Sequence, residues 1–386
     1  MEQLKENTYQ TPCFRWVVLI ILTSAFILSG CSQELDVSLH KDARHSLDRM
    51  KETPGISFLG SNVIPIKADG QGGFYKASGW LNNTEILYIS NDNETSSSLH
   101  SYNLATGQTA MLYRSGQPII TAEISPKRDK VLIHSSASNE GVLTIIDLSG
   151  KELYSGKIES YEMNFEWNSF NDDLLIVSAF TEEWDFTTYL LDLKELSLKE
   201  IQLPEPFVRW VSEEVLVYQQ WDEDEISLQA PLKSFSVGGN QPETVLEEVY
   251  QFDSAGKYLL TIRVDEDENP GLGVYTLSDG EMDSAASFTA PLLTSFSGWV
   301  VPFYDLMDDG KAFMYLRAKE QGEADLYDGG FDLMKYRLGN NKEEKIFSEL
   351  ANEPLSCSPA GEMCLYGFQL EKVLNIDTKE IIELVQ

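Results

Sequence analysis

Four short segments gather the side chains of this sequence best suited to act on a partner: "TEEWDF" (181–186), "WDEDE" (221–225), "DEDENPG" (265–271) and "EADLYDGG" (323–330). Trp184 and Asp185, Trp221 with Asp222 and Asp224, Asp265 with Asp267, and Tyr327 make up the candidate binding set. Aromatic rings among carboxylates attract cations through net charge and through the ring quadrupole, which suits a basic protein or peptide segment. Hard oxygen ligands at this density could instead hold Ca²⁺. A calcium-dependent phosphohydrolase is the enzyme such a set would allow. Acidic loops that simply keep a secreted protein in solution are the third reading. "DEDENPG" does not complete an EF-hand loop, because Pro270 precedes Gly271 and the twelfth position is Thr276 instead of glutamate.

Other reactive side chains are few. Of four histidines, His40 and His45 precede the repeats described below; His100 and His134 lie beside predicted strands and read as structural. No G-x-S-x-G, H-E-x-x-H or P-loop occurs, so no catalytic residue, metal-ligand set or cofactor is assigned. Cys31 is different. It follows "WVVLIILTSAFIL" (16–28), an uncharged run of about 20 Å as a helix, too short to span a ~30 Å hydrocarbon core. Leu28-Ser29-Gly30-Cys31 then looks like the lipobox of bacterial lipoprotein signal peptides. The thiol would accept a diacylglyceryl group, and the small residues before it would admit a signal peptidase to the Gly30–Cys31 bond. Residues 1–30 are therefore read as a lipoprotein signal peptide and Cys31 as the lipid attachment point. The protein is expected at the cell membrane, lipid-anchored and facing the extracytoplasmic side.

Cys357 and Cys364 stand on either side of Ser358-Pro359-Ala360-Gly361, a turn-forming stretch. Two strands joined there can bring the thiols opposite each other, and an exported chain allows them to oxidise, so a disulfide is expected. Two cysteines without a nearby histidine make a poor metal site.

The chain of 386 residues carries a formal net charge of −33, and loss of residues 1–30 would remove two acids and two bases, leaving it unchanged. That balance argues against a nucleic-acid partner. A hydrophobic content of 42% with 11% aromatics argues for a folded core and against an acidic disordered tail. Residues 31–55, polar and mixed in charge, read as a tether, and Lys41, Arg44, Arg49 and Lys51 within it could touch anionic headgroups.

The elements that must position the acidic segments repeat. From about residue 74, a polar turn leads into an apolar strand seven times, at Ile86, Val131, Leu174, Val215, Tyr258, Ala312 and Met363. The steps between these anchors run from 41 to 54 residues, widest around the sixth. A second strand closes each unit, as in "HSYNLATG", "TIIDLSGK" and "VLNIDTKE". This is the period of four-stranded antiparallel propeller blades. One small sheet cannot cover both its faces, so blades must pack face to face around a ring. The expected fold is an all-β propeller over 56–386 with seven units, closed near "ISFLGSNVIPI" (56–66) against the last blade. In such a meander the acidic segments are loops between second and third strands, all emerging on one face.

The lipobox and the strand ends "YNLATG" and "IIDLSGK" resemble extracytoplasmic propellers of the TolB and WD40-like kind. More narrowly, the whole chain resembles the YqgU-like propeller lipoproteins of Gram-positive bacteria. That resemblance implies six blades where the repeats count seven, and it brings no catalytic motif. The function expected is a lipid-anchored module that binds or scaffolds a protein or peptide at the cell envelope.

Overall fold

The computed structural model describes residues 63–67, 73–137, 140–222, 227–237, 239, 241–264, 269, 271–279, 284–307 and 312–386, all within the compact unit spanning 49–386. Among them are seven four-stranded antiparallel sheets, each built from strands consecutive within its blade apart from one small insertion. We number these blades 1 (73–115), 2 (119–159), 3 (162–201), 4 (209–249), 5 (251–291), 6 (304–350) and 7 (355–383). The count of seven units read from the repeats is the count of sheets. Signal peptide, tether and Cys31 lie outside the described residues.

The second strand of each blade explains why the repeat was visible. Successive side chains of a strand point to opposite faces of its sheet. In blade 1, Ile86 and Tyr88 join the core shared with blade 7, whereas Leu87 and Ile89 join the core shared with blade 2. In blade 6, Ala312, Met314 and Leu316 face blade 7, and Phe313 and Tyr315 face blade 5. Burial on both faces turns alternation into a continuous apolar run. Seven apolar clusters result, one per seam between neighbouring blades.

The third strands end on a recurring device. Asn103, Asp147, Asp192 and Asn375 each accept two backbone N–H groups of the following turn through one side-chain oxygen. This Asx-type turn is why an Asn or Asp stands at that point of the repeat. In blade 1 the turn closes at Gly107, whose φ of +69° is costly for a residue with a Cβ.

The first strands lie innermost and adjoin one another, and that of blade 1 packs against those of blades 2 and 7. The ring thus closes between blades 7 and 1. Blade 7 owns four strands of its own, and the expected closing segment, of which 56–62 lie outside the described residues, pairs with it at Ile66, whose N donates to Leu384 O (2.7 Å) and whose O accepts Gln386 N (3.0 Å). Ile66 adds a single parallel bridge to Val385, Trp80 Nε1 donates to Ser356 O (2.8 Å), and Ala77 N donates to Gln369 O (2.9 Å).

The wider spacing around the sixth unit has a local cause. A hairpin, Leu293–Ser295 with Gly298–Val300, occupies the linker between blades 5 and 6. It pairs in parallel with Gly322–Glu323, inserted between the second and third strands of blade 6.

Candidate functional site

Chain reversals alternate between the two ends of a meander, so the second-to-third-strand loops and the inter-blade linkers share one face, here the loop face. The four acidic segments are such loops in blades 3, 4, 5 and 6. Large exposed apolar side chains gather on the same face, including Tyr161, Trp184, Phe207, Trp221, Phe296 and Phe368.

The best-built part lies between blades 3 and 4. The loop 181–185 is closed by Thr181 N donating to Asp185 O (2.8 Å) and Trp184 N donating to Thr181 O (3.1 Å). Trp184 adopts φ +69°, a conformation that a bulky residue rarely takes, and is 61% exposed. Its ring meets buried Phe180 edge-on at 5.9 Å, and Phe180 stacks on Phe207 at 5.6 Å. Phe207 belongs to the linker 202–208, pinned where Ser178 Oγ donates to Pro206 O (2.7 Å). Phe186 completes a cluster of exposed rings around one buried ring. Glu182, Glu183 and Asp185 are exposed beside it, and burial pushes the carboxyl of Glu205 above its ordinary range.

The other expected residues are placed less uniformly. Trp221 and Asp222 are exposed at the start of the blade 4 loop; Asp224, Asp265 and Asp267 lie outside the described residues. Tyr327 departs from the expectation of a ring offered to a partner. Its hydroxyl donates to Gly330 O (2.7 Å) and accepts Lys319 N (2.9 Å), while its ring packs edge-on against Phe331. It fastens its own loop.

A second polar region, not anticipated from the sequence, lies along the innermost strands. At the last two positions of each first strand the chain reads Gly79-Trp80, Glu123-Ile124, Glu166-Trp167, Arg209-Trp210, Ser254-Ala255, Asp305-Leu306 and Ser356-Cys357. A polar or small residue precedes an apolar one every time. Aligning first strands, instead of the apolar second strands, would have exposed this register. Arg209 sits at its centre, Nη1 donating to Glu166 Oε2 (3.2 Å) and Nε donating to Asp253 Oδ1 (2.7 Å). Tyr304 donates to Asp253 Oδ2 (3.2 Å) and accepts Gln251 Nε2 (3.1 Å). Four blades are thereby linked across the channel wall. Burial pushes Glu166 up, against the pull of Arg209, and Arg209 stays charged between its carboxylates. Burial also pushes Glu123 up to about 7.

Among the described residues no group of three or more His, Cys, Asp and Glu side chains could hold a metal ion. His134 is buried edge-on against Phe165, and burial lowers its pKa to about 4. His100 stacks on Tyr88 and shares a hydrogen bond with Ser90 Oγ (3.0 Å). Both serve the blades. Cys357 and Cys364 face each other in register in blade 7 and are joined by a disulfide.

Residues 103–367 match the family described as "YqgU-like 6-bladed beta propeller domain". That segment contains blades 2–6 whole and parts of blades 1 and 7, and the full chain has seven four-stranded sheets where the family description gives six blades. The "Uncharacterized lipoprotein YqgU" of Bacillus subtilis (strain 168) is 26% identical over 378 residues, covering 97% of each chain. Among solved structures, uncharacterized protein lmo1340 from Listeria monocytogenes EGD-e superposes with a TM-score of 0.76 at 20% identity, over 84% of this chain and 98% of that one. The β-propeller domain of the Trilobed protease from Pyrococcus furiosus, reported with an open velcro topology, gives a TM-score of 0.55 at 14% identity, over 82% and 99%. These structures share the fold.

Proposed function

The chain belongs to the YqgU-like β-propeller family, and on that premise we propose that it is a lipid-anchored binding module of the cell envelope. It docks a basic protein or peptide segment on the loop face around Trp184. One observation carries this reading: a tryptophan held exposed in a left-handed backbone conformation, buttressed by Phe180 and ringed by carboxylates. Strained, exposed side chains of this kind concentrate at functional sites, and aromatic rings supply much of the energy at interfaces. The net charge of −33 favours a cationic partner. Anchoring through Cys31 is supported by the Leu28–Cys31 box and by the lipoprotein name of the Bacillus relative.

A photo-crosslinking residue at position 186 in intact cells tests this directly. The expected result is a defined adduct that is lost when Trp184→Ala and Phe207→Ala are combined and reduced by raised salt, since exposed charges are screened over about 8 Å at physiological ionic strength. An adduct pattern indifferent to both changes overturns the reading. Calcium-dependent phosphate-ester hydrolysis abolished by chelation replaces it with the enzymatic one.

A further inference from the structure

Three seams carry the same polar link at the inner ends of the blades, and at a fourth, between blades 2 and 3, residues able to make it do not. Between blades 3 and 4, the side chain of Glu166 accepts Trp210 N (3.3 Å), and Trp210 Nε1 donates back to Glu166 O (3.4 Å). Between blades 6 and 7, Asp305 accepts Cys357 N (2.5 Å); between 7 and 1, Trp80 Nε1 donates to Ser356 O (2.8 Å). Each donor or acceptor occupies the same register. At the seam between blades 2 and 3 the matching residues are Glu123 and Trp167, and both halves of the link are unmade. The Trp167 indole N–H is buried, in a residue 8% exposed, and has no hydrogen-bond partner. The Glu123 carboxyl has no hydrogen bond or ion pair among the described residues, with Arg209 acting on it only at longer range. Peripheral contacts hold these blades together, through an apolar core and through Lys127 and Lys130 on Asp172, so the seam is intact apart from this spot.

A cavity of about 350 Å³ at the centre of the ring reaches this spot; Glu123 and Trp167 border it together with Ser78, Ser254, Asp305 and Ser356 of other blades, and it adjoins the turns between first and second strands. It is therefore at the opposite end of the blades from the loop face. We propose that this cavity is a binding site for a small primary ammonium that also carries an oxygen acceptor. The ammonium satisfies Glu123, and the oxygen accepts the Trp167 N–H. Charge selects a cation: Glu123, Glu166, Asp253 and Asp305 stand against Arg128 and Arg209 along this stretch, and Arg128 is engaged by the Trp80 carbonyl. Two bordering carboxylates, Glu123 and an Asp305 that already accepts Cys357 N, without a cluster of metal ligands among the described residues, select an organic cation over a metal. The volume suits a small molecule or a chain terminus. Two sources share this chemistry, the α-amine and first carbonyl of a peptide and an ethanolamine headgroup.

The test uses the full soluble chain, ¹⁵N-labelled at its tryptophan indoles, with the Trp167 resonance assigned by its loss in Trp167→Phe. Glycinamide and ethanolamine are the probes and ethylene glycol is the uncharged control. The site predicts a saturable downfield shift of the Trp167 N–H with at least one amine, none with ethylene glycol, and affinity weakened roughly tenfold in Glu123→Gln. Preference for glycinamide identifies a peptide terminus, and preference for ethanolamine a headgroup. If Trp167→Phe does not fold, ligand-side calorimetry on wild type and Glu123→Gln reads the same loss. No binding by either amine, equal response to ethylene glycol, or unchanged affinity in Glu123→Gln overturns the proposal.

Discussion

At the scale of single residues, conformation and charge separate what a side chain does for the fold from what it does at a surface. Trp184 at φ +69° is the clearest case. Glycine adopts that conformation freely, so Trp184→Gly should leave unfolding free energy within about 1 kcal/mol of wild type while partner capture is lost. Denaturant titration beside a capture assay checks both halves, and a large loss of stability would make the ring structural. Glu123 makes the complementary prediction. Its pKa is raised from 4.5 to about 7, so the folded state holds the proton more tightly than the unfolded chain does. The resulting stabilisation is fully present below about pH 4.5 and is lost as pH rises through about 7. Glu123→Gln should therefore match wild type near pH 4 and exceed it by about 1–3 kcal/mol at pH 8. His134, with its pKa lowered to about 4, slopes the other way, losing its contribution as pH falls from 6.5 toward 4. The comparison must accordingly be made between variants at each pH, and a difference of equal size at both pH values would count against a raised Glu123 pKa.

At the scale of elements, the hairpin of blade 7 carries the only covalent cross-link among the described residues. Its strands Leu355–Cys357 and Met363–Tyr366 place Cys357 opposite Cys364. The turn between them is set by Gly361 N donating to Ser358 O (2.7 Å) and by Ser358 Oγ accepting Met363 N (3.3 Å). A sequence separation of 7 closes a short loop, so replacing both cysteines by alanine should cost about 2–3 kcal/mol in the chain-entropy account. Both residues are buried, Cys364 completely. Alkylation of the native protein under a reductant should be slow until denaturant is added; rapid labelling of two thiols in native buffer would show that this end of the ring opens readily.

At the scale of the molecule, each blade is stabilised by its two neighbours, and the ring depends on the seam where its ends meet. There Trp80 fills the core shared by blades 7 and 1 and donates to Ser356 O. Trp80→Phe keeps most of the volume but leaves a half-buried carbonyl short of a donor, at about 1 kcal/mol. Trp80→Ala also opens a cavity, at about 3–5 kcal/mol. Calorimetry should show one cooperative transition lowered in both, whereas an early melting of blades 1 and 7 alone would mean that the seam is not coupled to the ring. The lipid anchor acts at this scale too. Cys31→Ala should release the protein from membranes or leave an unprocessed precursor, as cell fractionation with mass measurement will show; normal processing and retention would remove the anchor from the reading.

The blades were legible in the sequence because both faces of every blade are buried. That requirement writes a continuous apolar run into each second strand, and in four blades an Asn or Asp that caps the third strand marks its end. Seven units followed from local pattern alone, as did the pairing of Cys357 with Cys364 across a four-residue turn. Tertiary structure decided what a period cannot encode. Tyr327 and Trp184 stand in similar acidic loops, yet one ring is consumed by Phe331 and Gly330 and the other is left exposed on Phe180. Phe207 joins Trp184 from a linker of another unit, a proximity that depends on the angle between blades. The channel residues escaped notice for a related reason. Glu123, Glu166, Arg209, Asp253 and Asp305 are scattered polar exceptions in short strands, and only closing the ring turns exceptions near the ends of different first strands into neighbours.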